Sequence, residues 1–145
     1  MKITQEADYA LRICSALAKE ESASSPQLAA ALCIPPRFIL KVLHKLSDAG
    51  IVRSTRGSGG GFSLAESADT ITLRQIIEAV DGSIAIRHCL LNNDCNFQNN
   101  KNKCRFHAVF ETVNSIIISR LDSLTISDIV NEDLQTEELV KRLYK

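Results

Sequence analysis

The chain has 145 residues, of which 45% are hydrophobic and 23% are charged. This composition supplies a core for one domain with a modest extension and excludes a disordered chain. The 17 Lys and Arg residues balance the 17 Asp and Glu residues, which excludes a uniformly basic coat protein for nucleic acid. The first residues lack the basic and then apolar blocks of a signal peptide, and no apolar stretch approaches the roughly 20 residues of a membrane span. We therefore expect a soluble cytoplasmic protein with no membrane contact.

Three helices are predicted in the first 50 residues. Thr4 can cap a helix over residues 4–19, whose apolar side chains recur at helical spacing. Ser25 as N-cap and Pro26 at the first helical position begin a short Ala-rich helix that runs from Gln27 to about Leu32. After two prolines a third helix is predicted over residues 37–49, and Gly50 ends it.

A glycine-rich hairpin is predicted directly after these helices. Residues 51–54 and 62–64 read as two short strands, and residues 57–61 form the loop between them. The predicted elements therefore follow the order helix, short helix, turn, helix and hairpin. This is the order of a winged helix-turn-helix domain, to which we assign residues 1–66. The predicted fold is therefore mainly α with a small β-hairpin, and its third helix is expected to enter the major groove of DNA.

The charge distribution agrees with a DNA-binding role for this domain. Residues 34–62 carry five basic residues and one acidic residue, although the whole chain is neutral. A local positive face on a neutral protein fits a partner with a localised negative surface. The alternatives are an ordinary solvated helix face and a winged domain that contacts only proteins. The predicted DNA contacts are Arg37, Lys41, His44 and Lys45 on the third helix, and Arg53, Arg56, Gly59 and Gly60 in the wing.

The second half of the chain is predicted to form a dimerisation unit. Residues 67–87 contain a connecting helix, residues 88–104 form an Asn-rich loop with three cysteines, residues 105–130 form a long dimerisation helix, and residues 131–145 form a polar tail. The long helix has more apolar surface than one exposed helix should carry, which predicts a homodimer seam. The alternative is packing within the chain, against the connecting helix. The apolar residues concerned are Phe106, Val109, Phe110, Val113, Ile116, Ile117 and Leu121.

The three clustered cysteines and a nearby histidine form a candidate metal site. Their spacing is Cys89-x5-Cys95-x8-Cys104-x2-His107, so the histidine lies about one helical turn after the last cysteine. Thiolates bind soft or borderline metals, and iron–sulfur clusters prefer them. His88 is a weaker candidate ligand. Without two CxxC pairs the loop does not resemble a common structural zinc motif; free thiols, a regulatory disulfide and zinc are the alternatives.

The wing and the cysteine loop together resemble the IscR/NsrR/RirA/CymR family of bacterial winged-helix transcription regulators. The resemblance extends to about Val130. The arginine and glycine run of the wing is specific to this family, and the cysteine loop is specific to its cluster-binding members. The matching segments are Met1-Lys2-Ile3-Thr4 with Asp8-Tyr9-Ala10-Leu11-Arg12, the wing from Val52 to Phe62, Ile77-Glu78-Ala79-Val80-Asp81-Gly82, and the three-cysteine loop.

This resemblance implies a homodimer that binds an inverted-repeat operator in double-stranded DNA. It implies an iron–sulfur cluster whose ligands are Cys89, Cys95 and Cys104. The fourth ligand is His107 if the chain is IscR-like, or Asp8 from the other subunit if it is NsrR-like, and we favour His107. Asp8 also has an ordinary explanation, an i,i+4 ion pair with Arg12. A [2Fe–2S] cluster is expected and a [4Fe–4S] cluster is the alternative, because the second cysteine spacing is longer than in IscR-like loops.

The expected function is that of a transcriptional repressor rather than an enzyme. Its operator binding would be controlled by the iron–sulfur cluster, which would sense cluster status, nitric oxide or redox state. The alternative keeps DNA binding but gives the cysteine loop a thiol-redox or zinc-binding role without a cluster. A cysteine-dependent enzyme is disfavoured, because the polar loop offers no obvious oxyanion donors.

Overall fold

The computed structural model describes residues 3–57, 59–92 and 104–144. These residues form eight helices and one antiparallel sheet of two strands. This mainly helical architecture with one hairpin confirms the predicted fold class. In chain order the elements are α1 (Gln5–Lys19), α2 (Ser25–Leu32), α3 (Pro36–Asp48), β1 (Val52–Thr55), β2 (Gly61–Leu64), α4 (Leu73–Asp81), α5 (Cys89–Asn92), α6 (Arg105–Asp122), α7 (Ile126–Val130) and α8 (Thr136–Arg142).

Local sequence signals set the ends of the first three helices. Thr4 caps α1, and its Oγ1 accepts a hydrogen bond of 3.2 Å from the Ala7 N–H. Ser24 caps α2, one residue earlier than predicted, because Gln27 completes a capping box with it. Cys33 closes α2 in the left-handed conformation, with a φ of 53°. The bend between α2 and α3 is 118°, within the range of about 90–120° of a helix-turn-helix.

The core lies where α1, α3, α4 and α7 pack together. Each helix supplies a fully buried aliphatic side chain, namely Ile13, Leu43, Ile76 and Ile126. Burial of one such side chain contributes about 1.5–3 kcal/mol relative to exposure. The connecting helix and α7 therefore belong to the same core as the winged domain, and α3 is held by its apolar face.

The hairpin is joined to the rest of the domain at the linker between α1 and α2. β1 pairs with β2 in antiparallel register, with Val52 opposite Leu64. Ala23 exchanges two backbone hydrogen bonds with Phe62, of 3.0 and 2.8 Å. A Cβ on Gly61 would lie 2.8 Å from the Ala23 carbonyl oxygen, so this close approach requires glycine. The wing therefore has a fixed attachment at its base.

The elements of the second half differ in extent from their predictions. The helix predicted over residues 105–130 ends at Asp122, because Thr125 and Asp128 form a capping box that begins α7. A short helix, α5, begins at Cys89 inside the segment predicted as loop. In the third helix, the spacing of the apolar residues places Ala49 on the inward face, but Ala49 is exposed at the end of α3.

Length and apolar composition determine whether a helix can span a membrane. No single described helix is long and apolar enough to cross a bilayer. The bent pair of α2 and α3 is long and apolar enough only when the two helices are taken together. Both contribute buried residues to the core described above.

Candidate functional site

The exposed face of α3 presents three of the four predicted DNA contacts to solvent. The side chains of Arg37, Lys41 and His44 are exposed, and they lie three to four residues apart on one face. Leu40 lies between them and is 45% exposed. The guanidinium of Arg37 lies 4.9 Å from the ring centroid of Phe38, and this cation–π contact joins two neighbouring side chains of α3. This face has the mixture of cationic and apolar groups that a major groove accepts.

The fourth predicted contact, Lys45, is half-buried and has two partners within the chain. Its Nζ donates to Glu6 Oε2 at 2.6 Å and to the Val80 carbonyl oxygen at 2.8 Å. Lys41 also donates to the Glu6 carboxylate. These hydrogen bonds, from Lys41 and then Lys45, lower the pKa of Glu6. Glu6 thus joins α1 to α3, and Lys45 joins α3 to the last turn of α4.

The wing carries one predicted arginine on β1, and the other arginine and the glycines lie in or beside its loop. Arg53 is exposed and its Nε donates to Ser63 Oγ at 3.2 Å, across the two strands. Arg56 is exposed at the start of the loop. Gly59 has a φ of 90°, which favours glycine, and a Cβ on Gly60 would clash with the hairpin backbone. The loop is therefore a compact tip beside two arginines.

Two of the three candidate cysteine ligands lie at the ends of neighbouring helices. Cys89 begins α5, and Cys104 is the N-cap residue of α6; both are half-buried free thiols. The side chain of Cys104 makes no capping hydrogen bond to α6. α5 packs against α6. Cys95 lies outside the described residues.

His107 has an unsatisfied polar atom inside the protein. Its Nδ1 is buried and has no hydrogen-bond partner among the described residues. A buried polar atom without a partner is costly, and a missing ligand is one ordinary explanation for it. His107 lies three residues after Cys104, on the first turn of α6. Among the described residues, no group of three or more His, Cys, Asp or Glu side chains is arranged so that it could hold a metal ion.

Asp8, the other candidate for the fourth ligand, has a partner of its own. Its Oδ2 accepts a hydrogen bond of 2.9 Å from Arg12 Nε, and this ion pair spans one turn of α1. The guanidinium of Arg12 gains from it, since the hydrogen bond to Asp8 raises the pKa of Arg12. Asp8 therefore forms, within one chain, the i,i+4 ion pair with Arg12 that was the alternative to a role as ligand.

The two remaining cysteines lie apart from this site. Cys14 is fully buried on α1, and burial raises the pKa of its thiol to about 12. Such a thiol stays protonated near neutral pH and does not react or bind metals readily. Cys33 is exposed at the turn between α2 and α3. Cys14 is thus a core residue, as its position on the buried face of α1 requires.

One stripe of α6 remains apolar and exposed. Phe106, Val109, Val113 and Ile116 recur at spacings of three and four residues, and their exposed fractions run from 41% to 70%. The opposite side of α6 packs against α4, so intrachain packing covers only part of the apolar surface. An exposed stripe of this kind marks an interaction surface.

Sequence reasoning missed two residues that organise these sites. Glu6 pairs with lysines 35 and 39 positions away, and no local pattern reveals such a pairing. Asn114 is the one polar residue that is buried among the described residues. In the sequence, Asn114 is an amide within the apolar run of α6, and a buried amide is expected to be hydrogen-bonded.

The chain is similar in sequence to a known protein family and to several of its members. A sequence model of the Rrf2 family, described as an iron-dependent transcriptional regulator, matches residues 3–132. An rrf2-like HTH-type transcriptional regulator of Rhodobacter capsulatus is 33% identical over 137 residues, which is 88% of this chain and 91% of the relative. The HTH-type transcriptional regulator NsrR of Bacillus subtilis is 28% identical and covers 97% of this chain and 98% of its own length.

The solved structures agree with this assignment. The structure of CymR, the global cysteine regulator of B. subtilis, superposes with a TM-score of 0.68 and 26% identity, covering 90% of this chain and 96% of that one. The chain therefore belongs to the Rrf2 family of transcriptional regulators. The family resemblance predicted from the wing and cysteine loop is confirmed. The relatives are named as regulators, in agreement with the prediction of a DNA-binding protein rather than an enzyme.

Proposed function

We propose that this Rrf2-family regulator is a homodimeric repressor whose binding to an inverted-repeat operator is controlled by an iron–sulfur cluster. The proposed cluster ligands are Cys89, Cys95, Cys104 and His107. The observation that supports the cluster is the buried Nδ1 of His107, which has no hydrogen-bond partner among the described residues and lies three residues after a Cys104 thiol that makes no capping bond. Asp8 is the weaker fourth ligand, because its carboxylate already accepts from Arg12.

The described residues fit such a group in the chemistry of their donor atoms. Two half-buried thiols and an imidazole form a donor set that iron and iron–sulfur clusters accept. A histidine ligand is replaced more readily than a thiolate, which suits a centre that must change state. We favour a [2Fe–2S] cluster with His107 as its fourth ligand, and a [4Fe–4S] cluster is the alternative. When bound, the cluster supplies a centre that reacts with oxidants and nitric oxide.

The residues around the site would convert this chemistry into DNA binding. Cys89 lies at the start of α5 and Cys104 at the start of α6, so ligation holds the two helices in one arrangement. The exposed apolar stripe of α6 faces away from this contact and is the proposed homodimer seam. A change in the position of α6 therefore changes the separation of the two α3 helices in the dimer, which must match successive major grooves about 34–36 Å apart.

DNA binding is tested by two substitutions with a matched control. Arg37→Ala on α3 and Arg56→Ala in the wing remove exposed cations, and each is expected to weaken operator binding by about 1–3 kcal/mol. Lys141→Ala on α8 removes the same charge elsewhere and should leave binding unchanged. The operator is first selected from random duplexes, and binding is followed by fluorescence anisotropy at several salt concentrations.

The same assay compares protein with and without its bound iron. We expect the two forms to differ in operator affinity by at least tenfold. Failure of the wild type to enrich any duplex would contradict the proposed DNA binding. Equal affinities of the two forms would contradict control by the cluster while leaving DNA binding intact.

A further inference from the structure

The middle of α6 contains a buried amide whose two ends are both satisfied by one short segment of backbone. Asn114 is only 9% exposed. Its Nδ2 donates to the Ile84 carbonyl oxygen at 3.1 Å, and its Oδ1 accepts from the Ile86 N–H at 3.0 Å. A carboxamide offers one donor and one acceptor side by side, which matches two backbone groups of an extended segment. Aliphatic residues of the same size cannot make either bond.

The segment that Asn114 binds leads directly to the first candidate ligand. Ile86 precedes Cys89 by three residues. The Ile84 N–H donates to Glu78 Oε1 at 3.2 Å, so the same segment is also tied to α4. Arg87 adds a second contact to α6, because its guanidinium stands 5.2 Å from the ring centroid of Phe110. The backbone just before Cys89 is thus fixed on two sides.

Asn114 also lies on the side of α6 that carries the histidine. It follows His107 by seven residues, which is two turns and about 10 Å along the same face of a helix. The exposed apolar stripe occupies a different face. The side chain therefore connects the backbone that precedes Cys89 to the helix that presents Cys104 and His107.

We propose that Asn114 is a positioning residue for the cysteine–histidine site. It holds the segment before Cys89 in register with α6, so that the helix that begins at Cys89 stays beside the helix that carries Cys104 and His107 before a metal group binds. This inference rests on the proposed function, since it assigns Asn114 to that same site. Residues of this kind, which orient ligands without touching the metal, typically change metal affinity about 10–100-fold when they are replaced.

The test uses Co²⁺ as the probe, added anaerobically to metal-free full-length protein. Charge-transfer absorption reports thiolate ligation, and the ligand-field bands report coordination geometry. Asn114→Leu removes both hydrogen bonds, and Asn114→Asp keeps the acceptor for Ile86 but removes the donor to Ile84. Ser115→Ala is the matched control, because Ser115 is the next residue of α6 and its hydroxyl donates to the Thr112 carbonyl oxygen on the exposed side.

We expect Asn114→Leu to weaken Co²⁺ binding by about 10-fold or more and to alter the ligand-field bands, with a smaller change for Asn114→Asp and none for Ser115→Ala. Circular dichroism and denaturant unfolding of the metal-free proteins separate this effect from loss of fold. Amide hydrogen exchange at Ile86 should accelerate in the metal-free Asn114→Leu protein.

Three results would overturn the inference. The first is a folded Asn114→Leu protein with the affinity and spectrum of the wild type. The second is unfolding of both Asn114 variants, which makes Asn114 a general core residue. The third is a wild type that shows no thiolate charge transfer with Co²⁺, and only this result also counts against the proposed site itself.

Discussion

Single residues determine how much positive charge α3 presents to solvent. The carboxylate of Glu6 binds both Lys41 and Lys45, although these lysines are 54% and 36% exposed. Lys45 has a second partner in the Val80 carbonyl oxygen, so it stays in place without Glu6. Lys41 has no such second partner among the hydrogen bonds of the described residues. If Lys41 contacts DNA as predicted, Glu6 would therefore compete with the DNA phosphates chiefly for Lys41.

Glu6→Gln is expected to release Lys41 for a phosphate contact. The plot of log binding constant against log salt concentration should become steeper by about 0.9 for each new phosphate contact per operator-bound chain. Operator affinity at low salt should rise. Fluorescence anisotropy over a series of salt concentrations measures both quantities.

Glu137→Gln on α8 is the control for this experiment, since it makes the same change in net charge at an exposed position. It should leave the slope unaltered. A Glu6→Gln protein that binds DNA more weakly and with a shallower slope would contradict the competition. That result would mean that Glu6 orients the lysines toward DNA.

Elements were predictable from the sequence where their signals are local. Caps, prolines and glycines place α1 to α3 within a residue or two, and the hairpin follows from its glycine run. The long helix was overextended, because the break at Asp122 depends on the capping box that Thr125 forms with Asp128. Glu6 and Asn114 were missed for a different physical reason. Each pairs with groups distant in sequence, and such pairings exist only once the helices have packed.

The exposed apolar stripe of α6 leads to a prediction about the proposed dimer. Ile116 is 53% exposed in the single chain and would be buried at the proposed seam. Ile116→Glu would bury an unpaired charge there. We expect this to cost about 3 kcal/mol of dimerisation free energy, which corresponds to a dimer at least 100-fold weaker. Sedimentation equilibrium measures the dissociation constant.

Ser115→Glu adds the same charge next to this position but on an exposed polar face of α6. It should leave the dimer intact. Because helical charge at an exposed position is well tolerated, circular dichroism should show both variants folded. An Ile116→Glu protein that remains dimeric at the wild-type concentration would exclude this stripe as the seam.

The described part of the molecule consists of one shared core with two proposed functional surfaces at its periphery. α4 links them, because its last turn binds Lys45 of α3 through Val80 and its Glu78 binds the Ile84 N–H in the segment before the cysteine loop. The winged domain and family could be predicted from the sequence. The placement of Cys89, Cys104 and His107 relative to one another could not, since it depends on how α5 packs against α6, which is a tertiary property.

The central claim is that the cysteine loop and His107 hold an iron–sulfur cluster. Anaerobic purification with iron and acid-labile sulfide analysis and a visible absorption spectrum tests it most directly. The wild type is expected to contain iron and sulfide in a fixed ratio, Cys104→Ser is expected to lose both, and His107→Ala should shift the absorption spectrum or lower cluster retention. A colourless wild type that cannot be reconstituted with iron and sulfide, or one that retains zinc instead, would contradict the account.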